Sequence, residues 1–494
     1  MNPVTAVKAA AGRNSNALLW VVCLGQFMVI LDVSIVNVAL PAIRDDLHFS
    51  QTGLQWVLNA YTLTYAGFLL LGGRASDLFG RRRMFFTGTL LFSGASLVCA
   101  LSPTSEVLLG ARALQGIGAA LLSPATLAII ATSFDEGPPR NRALGLWGAM
   151  GAVGATSGVL LGGVLTETLS WPGIFLINVP IGLALVLFSA NLIPEGRSES
   201  DNRHFDLPGA ILVTIGMTAL TYGIVETDTH GWGTLAVLGP ALAGAALLTA
   251  FTLYEGNLGR SLDKTPLMPL GIFKLRNLRA ANLVIFLLYA AIFGFWFFQS
   301  LYMQGTLHFS ALETGLAFVP MTLAVGTGAT LAPRLARRTS PRLVLATGML
   351  FAAIGELLLT GVKPGGSYVA QVLPGGLFGA FGLGLALVPA TIVAVQGVAP
   401  KVSGLASGVL NTSRFVGAAL GLAVLTTLAA SHTNSELDSG TSAATALTDG
   451  FGLQFEVGAI FCLVGAIAAV ILLRPRASEA PEAVAEGIPG AERA

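Results

Sequence analysis

Charged residues are scarce in this 494-residue chain. Only 11% of the residues are Asp, Glu, Lys or Arg, whereas 54% are hydrophobic. A soluble chain of this length would carry about 25% charged residues, so the composition excludes a soluble multidomain protein. The net charge of +1 shows no excess of basic residues, which argues against nucleic acid as a partner.

Cysteine and histidine are scarcer still. Cys23, Cys99 and Cys462 all lie in apolar runs, so we predict neither a disulfide framework nor a metal site. The five histidines are scattered over predicted linkers and helix ends, without the spacing of a metal or catalytic cluster. A Gly-x-x-x-x-Gly-Lys-Ser/Thr loop is also absent, which excludes a pump driven by a P-loop ATPase. We therefore expect no cofactor and no enzymatic activity.

Long apolar runs dominate the sequence instead. A helix needs about 20 mainly apolar residues to cross a hydrocarbon core of about 30 Å, and fourteen segments qualify. These predicted spans 1 to 14 cover residues 18–40, 54–73, 84–101, 107–132, 143–165, 174–192, 207–225, 235–254, 281–302, 314–331, 343–360, 369–393, 404–429 and 451–473.

Two polar stretches divide these spans into groups. The first separates spans 1 to 6 from spans 7 and 8, and a charged linker rich in Pro and Leu then precedes spans 9 to 14. We predict five parts: a cytoplasmic segment, a six-helix bundle, a linker with two inserted helices, a second six-helix bundle and a disordered tail. Their residues are 1–17, 18–193, 194–280, 281–473 and 474–494, respectively.

The positions of the basic residues predict the orientation. If the N-terminus is inside, all but four of the 27 Lys and Arg residues fall in cytoplasmic segments. The exceptions are Arg44 and Lys363 outside, and Arg112 and Arg414 within spans. Because cytoplasmic loops of membrane proteins concentrate Lys and Arg, we expect both termini on the inner side of a bacterial cytoplasmic membrane.

The two groups of six spans resemble each other. Span 4 carries Gly116-Ile117-Gly118 before Pro124-Ala125-Thr126, and span 12 carries Gly382-Leu383-Gly384 before Pro389-Ala390-Thr391. Arginine clusters also follow spans 2 and 10. Two related bundles around a central site are the plan of alternating-access transporters. The sequence therefore predicts an all-α polytopic membrane protein with two pseudo-symmetric six-helix bundles and two inserted helices. Chance similarity of Gly-rich apolar helices is the competing explanation for each match taken alone.

One segment carries a family resemblance. The residues Gly73-Arg74-Ala75-Ser76-Asp77-Leu78-Phe79-Gly80-Arg81-Arg82-Arg83 lie between predicted spans 2 and 3. They resemble the signature loop of the major facilitator superfamily, which acts there as a latch between the halves. The resemblance assigns the latch role to Gly73, Asp77, Gly80, Arg81, Arg82 and Arg83. Leu78 replaces the usual basic residue after the aspartate, and topology signalling alone is the competing explanation for the arginines.

Further motifs resemble those of the fourteen-span drug:proton antiporters, which export drugs, antibiotics and quaternary ammonium compounds. The similar stretches are 31–41 in span 1, 112–118 in span 4, 174–182 at the start of span 6 and 404–417 in span 13. The resemblance assigns helix-packing roles to Gly158, Gly162, Gly163, Arg414 and Gly417. Val159 stands where the antiporter motif has proline, so we expect a straighter helix. The implied function is proton-coupled export of a lipophilic small molecule, and the alternative is a symporter or facilitator that imports a metabolite.

Four ionisable residues fall within the predicted spans: Asp32, Arg112, Glu356 and Arg414. Such residues are costly in a bilayer and indicate functional sites. At 1.5 Å per residue, Asp32 and Arg112 reach similar depth, on spans that line the central cavity in this superfamily. We predict that Asp32 is the proton-coupling carboxylate and that Arg112 is its partner, with a permanently ionised structural pair as the alternative. Glu356 is the second coupling candidate, with a partner or a snorkelled position as the alternatives. For Arg414 we favour a structural or gating pair over substrate contact.

Polar and aromatic residues of spans 1, 4 and 9 are the candidate substrate contacts. They are Gln26, Asn37, Gln115, Tyr289, Phe293, Trp296 and Gln299. The aromatic residues of span 9 suit bulky lipophilic cargo, and their ring faces attract cations. An aromatic belt at the membrane interface is the competing explanation. Cationic and neutral cargoes fit equally well, so the predicted partners are a lipophilic small molecule, protons and the lipid bilayer, and we expect a monomer.

Overall fold

Helices make up the chain in the computed structural model. The structure describes residues 15–50, 52–135, 137–193, 205–231, 233–258, 266–268, 270–396, 398 and 403–473, and no strand occurs within these ranges. The predicted disordered tail, nearly all of the N-terminal segment and much of the charged linker lie outside the described residues.

Within the described ranges, fourteen helices of at least 15 residues follow one another, and they correspond to the fourteen predicted spans. They are α1 (Ser15–Leu47), α2 (Trp56–Phe79), α3 (Arg81–Ala100), α4 (Ser105–Ser133), α5 (Pro138–Leu169), α6 (Asn178–Leu192), α7 (Leu207–Val225), α8 (Leu235–Leu258), α9 (Arg276–Gly305), α10 (Ala311–Arg338), α11 (Pro341–Leu359), α12 (Leu373–Val395), α13 (Ser403–Asp438) and α14 (Ala443–Leu472). All except α2 belong to the thirteen described helices that are long and apolar enough to cross a membrane. With 24 residues α2 is long enough, but polar side chains such as Asn59, Thr62 and Thr64 lower its mean hydropathy.

Two predicted boundaries are wrong for identifiable reasons. The predicted loop at residues 73–83 is almost entirely helical, because α2 continues to Phe79 and α3 begins at Arg81. Gly80 alone makes the turn, with a φ of 101° that glycine adopts without strain. Span 6 is interrupted at Ile177, after a short helix, Pro172–Leu176. Pro180 explains this break, because it has no N–H to donate to the Leu176 carbonyl.

The first six helices and the last six pack by the same scheme. In the N-terminal set, α1 packs on α5, α2 on α4, and α3 on both α4 and α6. In the C-terminal set, α9 packs on α13, α10 on α12, and α11 on both α12 and α14. Each pair therefore has a counterpart eight helices later, as the internal repeat predicts. The domain boundaries given above stay a prediction.

Arginine clusters distinguish the two ends of the helices. Arg81, Arg82 and Arg83 begin α3, and Arg337 and Arg338 end α10. We call the membrane face that bears these clusters the basic face and the opposite one the far face. On the basic face, α7 and α8 are tied to the linker by buried carboxylates: Asp206 accepts from Gly209 N and Leu267 N, and Glu255 accepts from Met268 N.

Glycines allow the helices within each set to approach closely. A Cβ atom at Gly72 of α2 would overlap the carbonyl oxygen of Ala120 of α4. In the C-terminal set, a Cβ at Gly384 of α12 would overlap the carbonyl oxygen of Val325 of α10. Such contacts between small residues stabilise helix association in lipid, where apolar burial between helices gains little.

Alanine at Gly72 is expected to lower the thermal unfolding midpoint of the protein purified in detergent. The added methyl group forces α2 and α4 apart, and overpacking of this kind costs about 1 to 3 kcal/mol. Gly94→Ala in α3 is the matched control, because no atom lies within 4 Å of its Cβ position. Equal midpoints for the two variants would contradict the close contact between α2 and α4.

Candidate functional site

Asp32 of α1 and Arg112 of α4 form an ion pair that is fully buried. Arg112 Nη1 lies 2.5 Å from Asp32 Oδ2, and both side chains are 0% exposed. The guanidinium also donates to Val57 O at 2.9 Å and to Gln115 Oε1 at 2.8 Å, and it lies 4.5 Å from the ring centroid of Tyr61. Charge-assisted hydrogen bonds and the ring face offset the cost of burying the two charges.

Neutral side chains complete the Asp32 site. Gln115 and Asn178 donate their amides to Asp32 Oδ1 at 2.7 and 3.1 Å, and both also donate to Ser96 Oγ. Ser96 in turn donates to Phe175 O at 2.9 Å. We call Asp32, Ser96, Arg112, Gln115 and Asn178 the polar core. It ties together α1, α3, α4 and α6, so a change of charge there acts on four helices.

The predicted contact of Asp32 with Arg112 is confirmed, with Gln115 one turn away. The predicted place of these residues in the wall of a cavity does not hold in this conformation, because all three are fully buried. Helix α2 covers Arg112 with the ring of Tyr61, so the pair lies inside the N-terminal set. Sequence reasoning missed Ser96 and Asn178, although Asn178 lies within the stretch 174–182 that carries a family resemblance.

Glu356 of α11 occupies the equivalent place in the C-terminal set. It lies as far from the start of α11 as Ser96 does from the start of α3. It faces Gly458, which lies as far from the end of α14 as Asn178 does from the end of α6. Its side chain is fully buried, and neither carboxyl oxygen has a hydrogen-bond partner among the described residues. The structure therefore shows neither of the expected alternatives, a partner or a snorkelled position. A carboxyl group buried in this way is far less costly when uncharged.

A second polar cluster lies where α13 meets α9 and α12. Arg414 donates to Asn411 Oδ1 at 2.9 Å and to Thr391 Oγ1 at 3.2 Å. Its guanidinium lies 5.9 Å from the ring centroid of Tyr289. Both hydrogen-bond partners are neutral, and no carboxylate pairs with Arg414 within the described residues. The structural or gating role of Arg414 stays a prediction.

Residues of the N-terminal set face this cluster. Tyr65 of α2 packs edge to face against Phe415 of α13, with 4.5 Å between the ring centroids. Nearby, Ser123 of α4 donates to Gln26 Oε1 of α1 at 3.0 Å, so the predicted cavity residue Gln26 is buried with a polar partner. We call this region, where α2 and α13 bring the two sets together around Arg414, the seam.

Aromatic residues of α9 divide into two groups. Phe286, Tyr289, Phe293 and Trp296 recur at helical spacing on one face and are half-buried, whereas the intervening aromatic residues pack inside the C-terminal set. Tyr289 lies under Arg414, and Trp296 packs against Phe318 of α10, so these two residues of the face contact other helices.

Two polar residues predicted to contact the substrate, Gln299 and Asn37, donate hydrogen bonds to backbone carbonyls of their own helices. The Gln299 amide is buried and donates to Phe295 O. Asn37 is half-buried and donates to Val33 O. Gln299 therefore has no open surface in this conformation, whereas Asn37 has one.

Arg82 near the start of α3 and Arg342 near the start of α11 each contact the end of another helix. Arg82 donates to Ala190 O at the end of α6, at 2.6 Å, and Arg342 donates to Leu473 O after α14, at 3.2 Å. Each arginine satisfies a carbonyl group that a helix end leaves free. Gly73 and Asp77 lie in the last two turns of α2. The latch role of the residues around Gly80 stays a prediction.

The glycines of the antiporter motif join α5 to two different helices. Gly158 and Gly162 contact Ser34 and Ile35 of α1, whereas a Cβ at Gly163 would lie 2.7 Å from Ala311 O of α10. Gly417 of α13 packs in the same manner on α9. The motif thus holds the N-terminal set together and forms part of the contact between the two sets.

The two sets are in contact at the far face, and α5 and α10 diverge toward the basic face. Helices α2 and α13 stay in contact on the basic side, where a Cβ at Gly408 would lie 2.6 Å from Leu70 Cδ2. At the far face, Ser300 donates to Asn37 O at 2.7 Å, and a Cβ at Gly315 of α10 would lie 2.5 Å from the carbonyl oxygen of α5 residue Val159. Gly145 lies about five turns before Gly163 on the same face of α5, and no atom lies within 4 Å of its Cβ position. Gly326, about three turns after Gly315 in α10, is equally free. This pattern indicates an interior that opens toward the basic face.

Metal-binding clusters are absent from the described residues, where no group of three or more His, Cys, Asp or Glu side chains is placed to hold an ion. The three cysteines are buried and unpaired.

Sequence relatives match nearly the whole chain. The profile of the Major Facilitator Superfamily matches residues 22–422. A cephamycin export protein from Amycolatopsis lactamdurans is 39% identical over 478 residues, which cover 95% of this chain and 96% of the relative. A puromycin resistance protein from Streptomyces alboniger is 39% identical over 490 residues, with coverage of 96% and 95%.

Solved structures show the same fold at low sequence identity. The POT family transporter PepTSo superposes with a TM-score of 0.69 at 16% identity, over 92% of this chain and 97% of its own. The xylose transporter XylE from E. coli gives a TM-score of 0.61 at 15% identity, over 95% and 98%. With its membrane-spanning helices, its repeated packing and these relatives, the chain is a multi-pass membrane protein that belongs to the major facilitator superfamily.

Proposed function

We propose that the protein exports antibiotics or other lipophilic small molecules across the cell membrane, in exchange for protons, by alternating access. The relatives described above are named for cephamycin export and puromycin resistance, and a further one, 33% identical, for tetracenomycin C resistance and export. They support a drug exporter and not an enzyme.

The observation that carries the proton coupling is the buried polar core. In this conformation Asp32 accepts hydrogen bonds from three residues, all of which suit a charged carboxylate. Protonation of Asp32 removes the counter-charge of Arg112, so the two protonation states favour different positions of α1 and α4. Since α1 also contacts α9 at the far face, we propose that this shift reaches the contact between the two sets.

Glu356 is proposed as a second proton site. It lacks partners in this conformation, so a proton on its carboxyl group is the least costly arrangement. Its place in the C-terminal set matches that of the polar core in the N-terminal set. The two carboxyl groups then differ within the same conformation, because Asp32 accepts hydrogen bonds from three residues and Glu356 from none among the described residues.

The basic face is proposed to be cytoplasmic, as the distribution of Lys and Arg predicts. The interior then opens to the cytoplasm, which is the side from which an exporter takes its cargo. In this proposal Asn37, Tyr289, Phe293 and Trp296 contact the cargo, and the protein works as a monomer.

Proton movement in vesicles tests the proposal. We expect that the purified protein, in vesicles with an imposed pH gradient and an internal pH dye, moves protons only when a transported drug is added. Puromycin, a cephalosporin and lipophilic dyes form the panel. In an exporter of this kind, protons and cargo move in opposite directions. Movement in the same direction would favour the symporter, and cargo movement without protons would favour the facilitator.

A further inference from the structure

Arg414 lies at the seam with a positive charge that no carboxylate balances within the described residues. Its partners are the neutral oxygens of Asn411 and Thr391 and the ring of Tyr289. Its Nε is buried and donates to no acceptor among the residues that the structure describes, and the side chain as a whole is half-buried. The guanidinium therefore keeps both its charge and a free donor beside the open interior.

Both intramembrane carboxyl groups are engaged or turned away from Arg414. Asp32 is fully buried, and its two oxygens are occupied by Arg112, Gln115 and Asn178. Glu356 faces α14 and not α13. An intramembrane charge without a counter-ion is costly, so an anionic group that enters the interior and reaches Arg414 is stabilised there.

Aromatic rings of both sets lie at the seam, and that of Tyr289 is 5.9 Å from the Arg414 guanidinium. Tyr289 and Phe293 of α9 lie with ring centroids 6.2 Å apart, and Tyr65 and Phe415 form a ring pair nearby. Rings of this kind bind a flat apolar body, while a guanidinium binds carboxylate or sulfonate oxygens with paired donors.

We propose that Arg414 binds an acidic group of the cargo, so that the preferred substrates are lipophilic or aromatic anions such as carboxylates and sulfonates. This inference rests on the proposed export function and specifies its substrate class. The sequence alone does not distinguish cationic from neutral cargo. In this conformation the polar core offers a cationic cargo no free carboxylate oxygen, which argues against cations.

A matched set of fluorescent probes tests the proposal. Dansylglycine is an anion, dansylamide is neutral and dansylcadaverine is a cation, and all three carry the same ring system. Binding to purified protein in lipid nanodiscs is measured by energy transfer from the tryptophans to the dansyl group. We expect dansylglycine to bind at least about tenfold more tightly than either of the other probes, since one charged hydrogen-bonded contact has about that effect.

Variants of Arg414 separate charge recognition from folding. Arg414→Gln is expected to weaken dansylglycine binding about tenfold or more and to leave dansylamide binding unchanged, which also shows that the variant is folded. Arg414→Lys should retain most of the preference for the anion. Arg334→Gln, which removes a positive charge at the exposed end of α10, is the control for general attraction of anions and should bind all three probes like the wild type.

Three results would overturn the inference. Equal dansylglycine affinity in Arg414→Gln and wild type would exclude Arg414, and tighter binding of dansylcadaverine would reverse the substrate class. If drug-linked proton movement is then still observed in vesicles, the export function stands and the anion preference alone fails. If the wild type binds none of the probes and moves no drug, both proposals fail together.

Discussion

Asparagine in place of Asp32 is expected to abolish drug-linked proton movement and to destabilise the protein. The variant keeps the size and most hydrogen-bonding geometry of the side chain, but it leaves Arg112 as a buried charge without a counter-ion. Loss of one partner of a buried ion pair costs about 3 to 5 kcal/mol. The thermal unfolding midpoint in detergent and the vesicle proton assay measure the two effects separately.

The double variant Asp32→Asn, Arg112→Gln separates stability from function. It removes both charges, so we expect most of the lost thermal stability to return, because no buried charge is left unpaired. Proton movement should not return, because no titratable group remains at this site. If the double variant is stable and still exchanges drug for protons, the pair is structural, and the coupling site must be sought elsewhere, first at Glu356.

The depth of Asp32 and Arg112 could be predicted from the sequence, but their burial could not. A rise of 1.5 Å per residue gives the height of each residue along its helix. Whether a residue faces its own bundle or the central interior depends on the rotation of the helix about its axis. In a membrane, both the lipid-facing and the protein-facing sides of a helix are mainly apolar. The hydrophobic pattern that gives this rotation in soluble proteins is therefore weak here.

The internal repeat also predicts which helix Glu356 faces. Glu356 and Ser96 hold the same position in α11 and α3, so alignment of the helix starts would have placed Glu356 opposite α14. The half-buried face of α9 was also visible in the spacing of Phe286, Tyr289, Phe293 and Trp296. The environment of Arg414 could not be predicted from the sequence, because a sequence does not show which acidic side chains come near a given arginine. Arg414 has no such partner among the described residues.

Leucine in place of Gly163 is expected to open the far face and to stop transport. Gly163 of α5 lies against the backbone of α10, where an added Cβ would be 2.7 Å from Ala311 O and 2.9 Å from Leu312 Cα. Backbone atoms cannot move aside as a flexible side chain can, so the two helices must separate by the thickness of the new side chain. The conformation that is closed at the far face then becomes less stable than the conformation that is open at the far face.

Distances between spin labels measure this shift in the population. Cysteines introduced at the exposed residues Glu167 and His308 report on the far face, and cysteines at Arg142 and Arg334 report on the basic face. In Gly163→Leu we expect the first distance to lengthen by several ångströms and the second to shorten, because alternating access requires the two faces to move in opposite senses. Gly110→Leu is the control, because no atom lies within 4 Å of its Cβ position. If the far face opens while the basic face stays unchanged, the two sets do not rock as rigid bodies. The polar core would then have to affect the far-face contacts through movements within the N-terminal set alone.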